Sequence, residues 1–581
     1  MTNPAIWPTP RSVTWAGGTC TVPARAASDL EAMLAGSDAP DWIDAARDQT
    51  LPAGGYTLQI DEQTPVVIRH NSALRHAAAT LIMLLRRTAL PCGGVEDHPA
   101  IRNRGVMLDI SRDRIPTMRE FRDILRTLAL LKINHLQLYV EHTLAYAGHE
   151  AIWSGWSALT LAELKRIEGW CEDFGIELAG NQNCFGHLSE VLRTPGYEHL
   201  AETHGPYDFY GLTRDGPFSL CPTDPRSLDL ATDFIQQQAA VLRSPLFNIG
   251  CDETADVGAG RSADAVANKG KAAVYGNHVA DVARAALDIG ARPMFWADIA
   301  LSEPAVLDVL PKDMVAIAWG YEPDSPFDQW CETLTQAGFE TWLSPGTSAW
   351  RSIAGRTSER RANLRAAAQA AVAHKSAGLL ITDWGDLGHR QTWPITLMGI
   401  ADGAHAAWNP DAPFDAKTLG RALWSSPELG SWLADLGDAD LPLRETCGFP
   451  DATGNRGRLL NAGAIFTDMH PARPDWGTPG TTDQWANIHA TLQALATRRP
   501  HVGHALLDVE CKHTVDVMLA GCGRAVQRRG ATSKPADLAD RLDALAGEHR
   551  RLWLARSRAG GLVRSAAWYT RLTDQLRGEV P

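Results

Sequence analysis

The stretch Leu246-Phe247-Asn248-Ile249-Gly250-Cys251-Asp252-Glu253-Thr254 runs from an apolar segment into two adjacent carboxylates. Bounded by Pro245 and Gly250, its Leu, Phe and Ile read as a strand buried on both faces, as in a parallel sheet covered by helices. If that sheet closes into a barrel, acids at the C-terminal end of the strand emerge at the catalytic rim. Neighbouring strand residues point to opposite sides, so Asp252 and Glu253 can face one ligand only where the strand ends and the backbone bends. Gly250 permits such a bend. Taken alone, an Asp-Glu pair belongs more often to a solvated loop, so the rest of the chain has to decide.

Outward from this stretch, between Arg104 and Trp408, short apolar runs alternate with amphipathic ones, the signature of repeated βα units. Strands are predicted over Gly105 to Ile110, His135 to Val140, Ile176 to Gly180, Leu246 to Gly250, Pro293 to Ala297, Val315 to Trp319, Glu340 to Leu343 and Gly378 to Thr382. Helices follow them, as over Met118 to Leu131, Leu161 to Phe174 and Ala265 to Leu287, where apolar residues recur at three and four. The expected fold class is therefore α/β, a (β/α)8 TIM barrel over residues 99–410.

Residues 1–98 are expected to form a small N-terminal α+β domain. It would hold strands at Tyr56 to Ile60 and Pro65 to Ile68, a helix over Ala73 to Arg86, and a break at Pro91-Cys92-Gly93-Gly94. Residues 411–581 read as a mainly helical C-terminal region with loop-like interruptions at Gly448 to Gly457 and Pro471 to Thr482. That region offers no evident chemistry; it is expected to complete a rim or to serve a homodimer.

The chain has 581 residues and a formal charge of -13. That charge, with no Lys/Arg block, argues against nucleic acid or an anionic membrane as partner. Met1 to Pro10 lacks a charged segment followed by an apolar one, and no apolar run reaches membrane-spanning length, so the expectation is a soluble, cytoplasmic protein. The 10 cysteines show no CxxC and no structural-zinc spacing, which predicts reduced, buried thiols, no metal and no cofactor. His142, His149 and Glu150 lie close together but match no recognised ligand set.

Residues at the strand ends would share one pocket. Strand 4 gives Asp252 and Glu253, strand 5 Trp296 and Asp298, strand 6 Trp319 and Tyr321, strand 8 Trp384 and Asp386. Indoles offer flat faces to the C–H side of a sugar ring and carboxylates accept from its hydroxyls, so the group suits a pyranose subsite. Much of the tryptophan, 20 residues in all, is still expected in the core.

Two motifs then carry a family resemblance. Arg104-Gly105-Val106-Met107-Leu108-Asp109-Ile110-Ser111-Arg112, followed by Ile249-Gly250-Cys251-Asp252-Glu253, resembles the β-N-acetylhexosaminidases of glycoside hydrolase family 20, over roughly residues 50 to 410. The resemblance implies an exo-acting retaining hydrolase that removes terminal β-linked GlcNAc or GalNAc from a small oligosaccharide or glycoconjugate. Glu253 would be the general acid/base, and Asp252 would orient the substrate's 2-acetamido group, whose own oxygen attacks the anomeric carbon. Arg104 would donate to the 3- and 4-hydroxyls, its alternative being an ion pair with Asp109 or another rim acid. Trp296, Trp319 and Trp384 would wall the subsite, Asp386 would accept from the 4- or 6-hydroxyl, and His187 in Gly186-His187 would support Glu253.

The chain also departs from the family. Glu141, in Tyr139-Val140-Glu141-His142-Thr143, stands where most members carry an Asp-rich stretch. The family's acetamido-binding Tyr after strand 7 has no match in Leu343-Ser344-Pro345-Gly346-Thr347-Ser348-Ala349-Trp350, leaving the role to Trp350, to Tyr321 or to another loop. Two further readings keep the barrel: a glycosidase for a sugar without an acetamido group, and a carbohydrate-binding protein without catalysis.

Overall fold

Each of the eight apolar runs between Arg104 and Trp408 becomes a parallel strand, because each is buried along its length and followed by a helix that covers it. In the computed structural model, which describes residues 4–578 apart from 64, 86, 449–455, 471–479 and 531–534, the strands close into one barrel. They span Asn103–Asp109, His135–Tyr139, Glu177–Asn181, Leu246–Asn248, Arg292–Trp296, Val315–Trp319, Glu340–Ser344 and Gly378–Asp383. The eighth pairs with the first, Leu379 opposite Arg104 and Asp383 opposite Leu108, which completes the circle.

Local chemistry sets the helix starts. Thr117 caps Met118–Leu130 by accepting from the Glu120 N–H, and Thr160 and Glu163 form a capping box on Leu161–Phe174. The helix expected over Ala265 to Leu287 is instead two, Ala263–Lys269 and Lys271–Asp288, divided at Gly270 with φ 84°. Helical periodicity survives such a break, so spacing alone does not reveal it.

The barrel interior mixes aromatic and apolar side chains with buried amides. Met107, Tyr139, Met294, Trp296, Trp342, Trp350 and Trp384 belong to one buried cluster. Against Met107 and Met294 the Gln137 side-chain oxygen accepts from Asn181 at 2.9 Å and from Asn248 at 3.0 Å. These buried amides satisfy one another, which is the condition for leaving them in a core.

Before the barrel, a five-stranded sheet is built from Ser12–Thr21, Ala89–Asp97, Tyr56–Ile60, Val66–His70 and Ile43–Arg47, in that spatial order, with helices Ala26–Leu34 and Leu74–Leu84. The Pro91-Cys92-Gly93-Gly94 segment is not a break: it lies inside Ala89–Asp97, paired on both sides. Pro91 falls beside a register shift between Trp15 and Thr19, and a Cβ on Gly93 would collide with the Thr14 carbonyl. The close approach of two strands explains the glycine better than a turn does.

After the barrel come helices from Ala416–Trp424 to Leu562–Arg577. Most of both expected interruptions, at 448–457 and 471–482, lies outside the described residues. This region docks against the loop that follows the first barrel strand. Thr117 donates to the Arg556 carbonyl at 2.9 Å, Arg558 donates to the Ile115 carbonyl at 2.8 Å, and Arg556 pairs with Glu120 at 2.7 Å and Glu510 at 2.6 Å. No helix among the described residues is long and apolar enough to cross a membrane. All ten cysteines are buried and unpaired.

Candidate active site

The fourth strand stops at Asn248, two residues earlier than its apolar run suggests, because the backbone turns left-handed. Gly250, Cys251 and Glu253 have φ of 71°, 74° and 50°. For a non-glycine residue this conformation costs about 1–2 kcal/mol, so the surroundings must hold it. Asn248 accepts the Gly250 N–H at 2.9 Å, Asn183 accepts the Cys251 N–H at 3.3 Å, and Asp298 accepts the Glu253 N–H at 3.0 Å. A Cβ on Gly250 would lie 2.5 Å from the Asn183 side-chain oxygen, so glycine is needed for space as well as for its torsion. The turn abolishes strand alternation and brings both acids to one side.

They meet at His187, itself at φ 58°. Its Nε2 lies 3.3 Å from Asp252 Oδ2 and 3.4 Å from Glu253 Oε2. Burial alone would lower the imidazole pKa, but the charge and hydrogen bonding of Asp252, then Glu253, outweigh it and raise His187 to about 10. For Asp252, burial works upward and is overcome by His187, so this carboxyl titrates below its usual range. Asn183 Nδ2 also donates to Asp252 at 3.2 Å. The third acid, Asp298, goes the other way: burial, reinforced by the negative charge of Asp252, pushes it well above the carboxylate range. Carboxyls driven apart in this way supply an ionised and a protonated group side by side.

The arginine of the site is Arg112. Its Nη1 donates to Asp109 at 2.9 Å, its Nε faces Glu141 at 3.2 Å, and its Nη2 lies 3.8 Å from Asp386. The guanidinium lies over the rings of Tyr139 and Trp384, 4.8 and 5.1 Å from their centroids. Asp109 holds this corner together, accepting from the backbone N–H groups of Ser111, Arg112 and Gly385. Glu141 accepts from the Tyr139 hydroxyl at 2.8 Å, and its burial raises its pKa despite Arg112.

Arg104 is not part of the site, which corrects its expected role. It stands at the entrance of the first strand, the opposite end of the barrel, and donates to the carbonyls of Lys132, Ile101 and Arg102 beneath the Trp408 ring. Burial lowers its pKa to about 9. The alternative ion pair with Asp109 is not formed either, since Asp109 is held by Arg112.

The aromatic residues of the strand ends lie against one another. Trp384 Nε1 donates to the Tyr321 hydroxyl at 2.7 Å, Trp319 stacks on Tyr321 with centroids 5.2 Å apart, and Trp350 meets Tyr321 edge-on at 5.0 Å. Trp296 lies 5.8 Å from Trp384. The indole N–H groups of Trp296, Trp319 and Trp350 are buried without a protein acceptor. Buried donors of this kind are rare unless something else accepts from them.

Sequence reasoning left Arg112, Asn183 and Tyr139 without roles, although Arg112 and Tyr139 lie in the motifs given above. The available signal was position: Arg112 follows the first strand, where rim residues belong, and Arg104 stands at its beginning. His142 and His149 do not join the site acids in a ligand set; His149 is bound by Tyr197 at 2.7 Å and Asp233 at 2.8 Å. His187, Asp252 and Glu253 do bring ligand atoms within 4.8 Å of one another. A metal there would have to displace the proton that Asp252 stabilises on His187.

No family model matches the chain, and no curated protein matches it. Solved structures do. A Flavobacterium johnsoniae chitobiase matches with TM-score 0.58 at 15% identity, over 98% of this chain and 99% of that one. A family 20 exo-β-N-acetylglucosaminidase from Vibrio harveyi, in complex with N-acetylglucosamine, matches with TM-score 0.57 at 17% identity, over 72% and 75%. A Streptomyces plicatus N-acetyl-β-hexosaminidase in complex with Thio-NAglucal matches with TM-score 0.56 at 18% identity, over 74% and 95%. The chain has the fold of these glycoside hydrolase family 20 structures.

Proposed function

We propose that the chain is a family 20 glycoside hydrolase, an exo-acting retaining β-N-acetylhexosaminidase working by substrate-assisted catalysis on terminal β-linked GlcNAc or GalNAc. One observation carries the reading: the triangle of Asp252, His187 and Glu253, with Arg112 3.4 Å from His187 Nδ1 and the aromatic cluster beside them. The sugar bound in neighbouring structures of this fold supports the substrate class.

In this reading Glu253, whose side chain keeps 28% of its exposure, gives its proton to the leaving glycosidic oxygen. Asp252, held ionised, accepts from the acetamido N–H and favours the positive charge that builds as the acetamido oxygen bonds to the anomeric carbon. The glycosidic C–O bond breaks, the aglycone leaves with the proton, and a cyclic oxazolinium remains. Water then attacks the anomeric carbon and gives a proton to Glu253 while the bond from that carbon to the acetamido oxygen breaks and the amide is restored, so configuration is retained. Arg112 and Asp386 bind hydroxyls of the terminal sugar.

Tyr321 supplies the donor to the acetamido oxygen that the seventh strand lacks. Its hydroxyl accepts from Trp384 and has a proton of its own to give. The test of the whole reading is hydrolysis of 4-nitrophenyl β-N-acetylglucosaminide by Glu253→Gln. Turnover should fall by at least 10² with KM little changed; unchanged turnover removes Glu253 from the chemistry.

A further inference from the structure

Between the third barrel strand and the helix Pro225–Ala239 the chain folds a hairpin, Pro206–Phe209 paired with Leu212–Asp215. It turns on Tyr210 and Gly211, both left-handed at φ 51° and 85°, and the Asp208 carboxylate accepts the Gly211 N–H at 3.1 Å. Two positive φ values in a two-residue loop match the twist of a hairpin and make its tip a defined structure.

The base of the hairpin is fixed against the acids. Tyr207, Phe209 and Phe218 form a separate buried cluster with Ala255, two residues beyond Glu253. The Arg214 guanidinium covers the Phe209 ring at 3.2 Å, and the Phe218 ring meets His187 at 4.8 Å. The tip, by contrast, is left bare: Tyr210 is 60% exposed and Leu212 48%. A rigid base carrying an exposed aromatic beside catalytic acids is poor use of an apolar side chain unless something covers it. The phenol pKa is raised, first by burial and then by the charges of Asp298, Glu253 and Asp252, in keeping with a hairpin whose base packs on Ala255 and, through Phe218, on His187.

We propose that Tyr210 forms the leaving-group subsite, its ring stacking on the pyranose or aromatic group attached to the oxygen that Glu253 protonates. The inference rests on the glycosidase reading above. A proton donor faces the leaving group, so whatever stands beside Glu253 on the solvent side meets the aglycone, while the tryptophan-lined interior meets the terminal sugar. A tyrosine suits the task because it presents a flat apolar face with a polar edge at small entropic cost. The subsite should therefore favour β-linked disaccharides and aryl glycosides over alkyl glycosides.

The test compares wild type, Tyr210→Ala and Tyr210→Phe on N,N′-diacetylchitobiose, 4-nitrophenyl β-N-acetylglucosaminide and methyl β-N-acetylglucosaminide. For Tyr210→Ala, the ratio of kcat/KM on the disaccharide to that on the methyl glycoside should fall about three- to tenfold, the worth of one aromatic stacking contact. Tyr210→Phe should keep the wild-type ratio, because the ring remains. Equal losses on all three substrates, or no loss on any, overturns the subsite while leaving the hydrolase standing. A wild type that cleaves none of the three overturns the glycosidase reading and this inference with it.

Discussion

His187 Nε2 lies 3.3 Å from Asp252 Oδ2, and each group holds the other in its charged form inside a buried site. The sign of the resulting pH dependence follows from the two shifts. His187, raised to about 10, contributes stability that is complete below its unfolded pKa near 6.5 and is lost as pH rises through 10. Asp252, lowered from 3.8, contributes stability present above that value and lost as pH falls through its folded pKa. The stability difference between wild type and His187→Gln, measured by denaturant unfolding, should be largest near pH 5–6 and shrink toward pH 10. The same substitution should move the acid limb of kcat/KM to higher pH, because Asp252 loses the cation that keeps it ionised. A difference that grows from pH 6 to 10 contradicts the pairing.

The two arginines of the first strand should separate cleanly. Arg112→Lys loses the planar fork that spans Asp109 and Glu141, and should lower kcat/KM roughly 10²-fold with a modest change in stability. Arg104→Met strands the buried carbonyls of Ile101, Arg102 and Lys132, and should cost about 2–4 kcal/mol in unfolding free energy while KM stays near wild type. Kinetics and denaturation on both variants would expose an exchange of roles.

Tyr321→Phe removes one hydroxyl and should lower kcat on a 2-acetamido substrate by about 10²-fold, the usual scale for losing one donor to a developing charge. Trp350→Phe keeps an aromatic edge against Tyr321 and should lower it by much less. The reverse order would assign the acetamido contact to the Trp350 indole.

Arg556 ties the C-terminal helices to Glu120 at the start of the first barrel helix. Arg556→Ala leaves Glu120 and Glu510 partly buried without their cation, and should cost about 3 kcal/mol. Because the loop carrying Arg112 starts this same helix, kcat/KM should fall as well, with KM rising before kcat. Loss of stability with unaltered kinetics would make the docking purely structural.

Much of this fold was legible because burial on both faces leaves largely apolar runs, with Gln137 and Asn248 as polar interruptions that the barrel pairs internally. The strand ends placed Asp252, Glu253, Trp296, Trp319 and Trp384 on one rim for the same reason. What stayed hidden depends on torsions and distant contacts. Cys251 and Glu253 carry no sequence sign of a left-handed backbone; it is imposed by Asn183 and Asp298, far away in the chain. Arg104 and Arg112 share one motif, and only the direction of the strand separates them: Arg104 stands near its first residue, Arg112 beyond its last. Pro91 and Gly93 resembled a turn, since the bulge and close strand contact that accept them are made by residues 12–21.

The central claim is that the substrate's own acetamido group, held by Asp252, is the nucleophile. Its most direct test is to measure kcat/KM of wild type and Asp252→Asn on 4-nitrophenyl β-N-acetylglucosaminide and on the matching 2-hydroxy glucoside. The account predicts that wild type cleaves the first at least 10³-fold better than the second, and that Asp252→Asn loses roughly 10²-fold or more on the first. Comparable rates on both glycosides, or an Asp252→Asn variant as active as wild type, would contradict it.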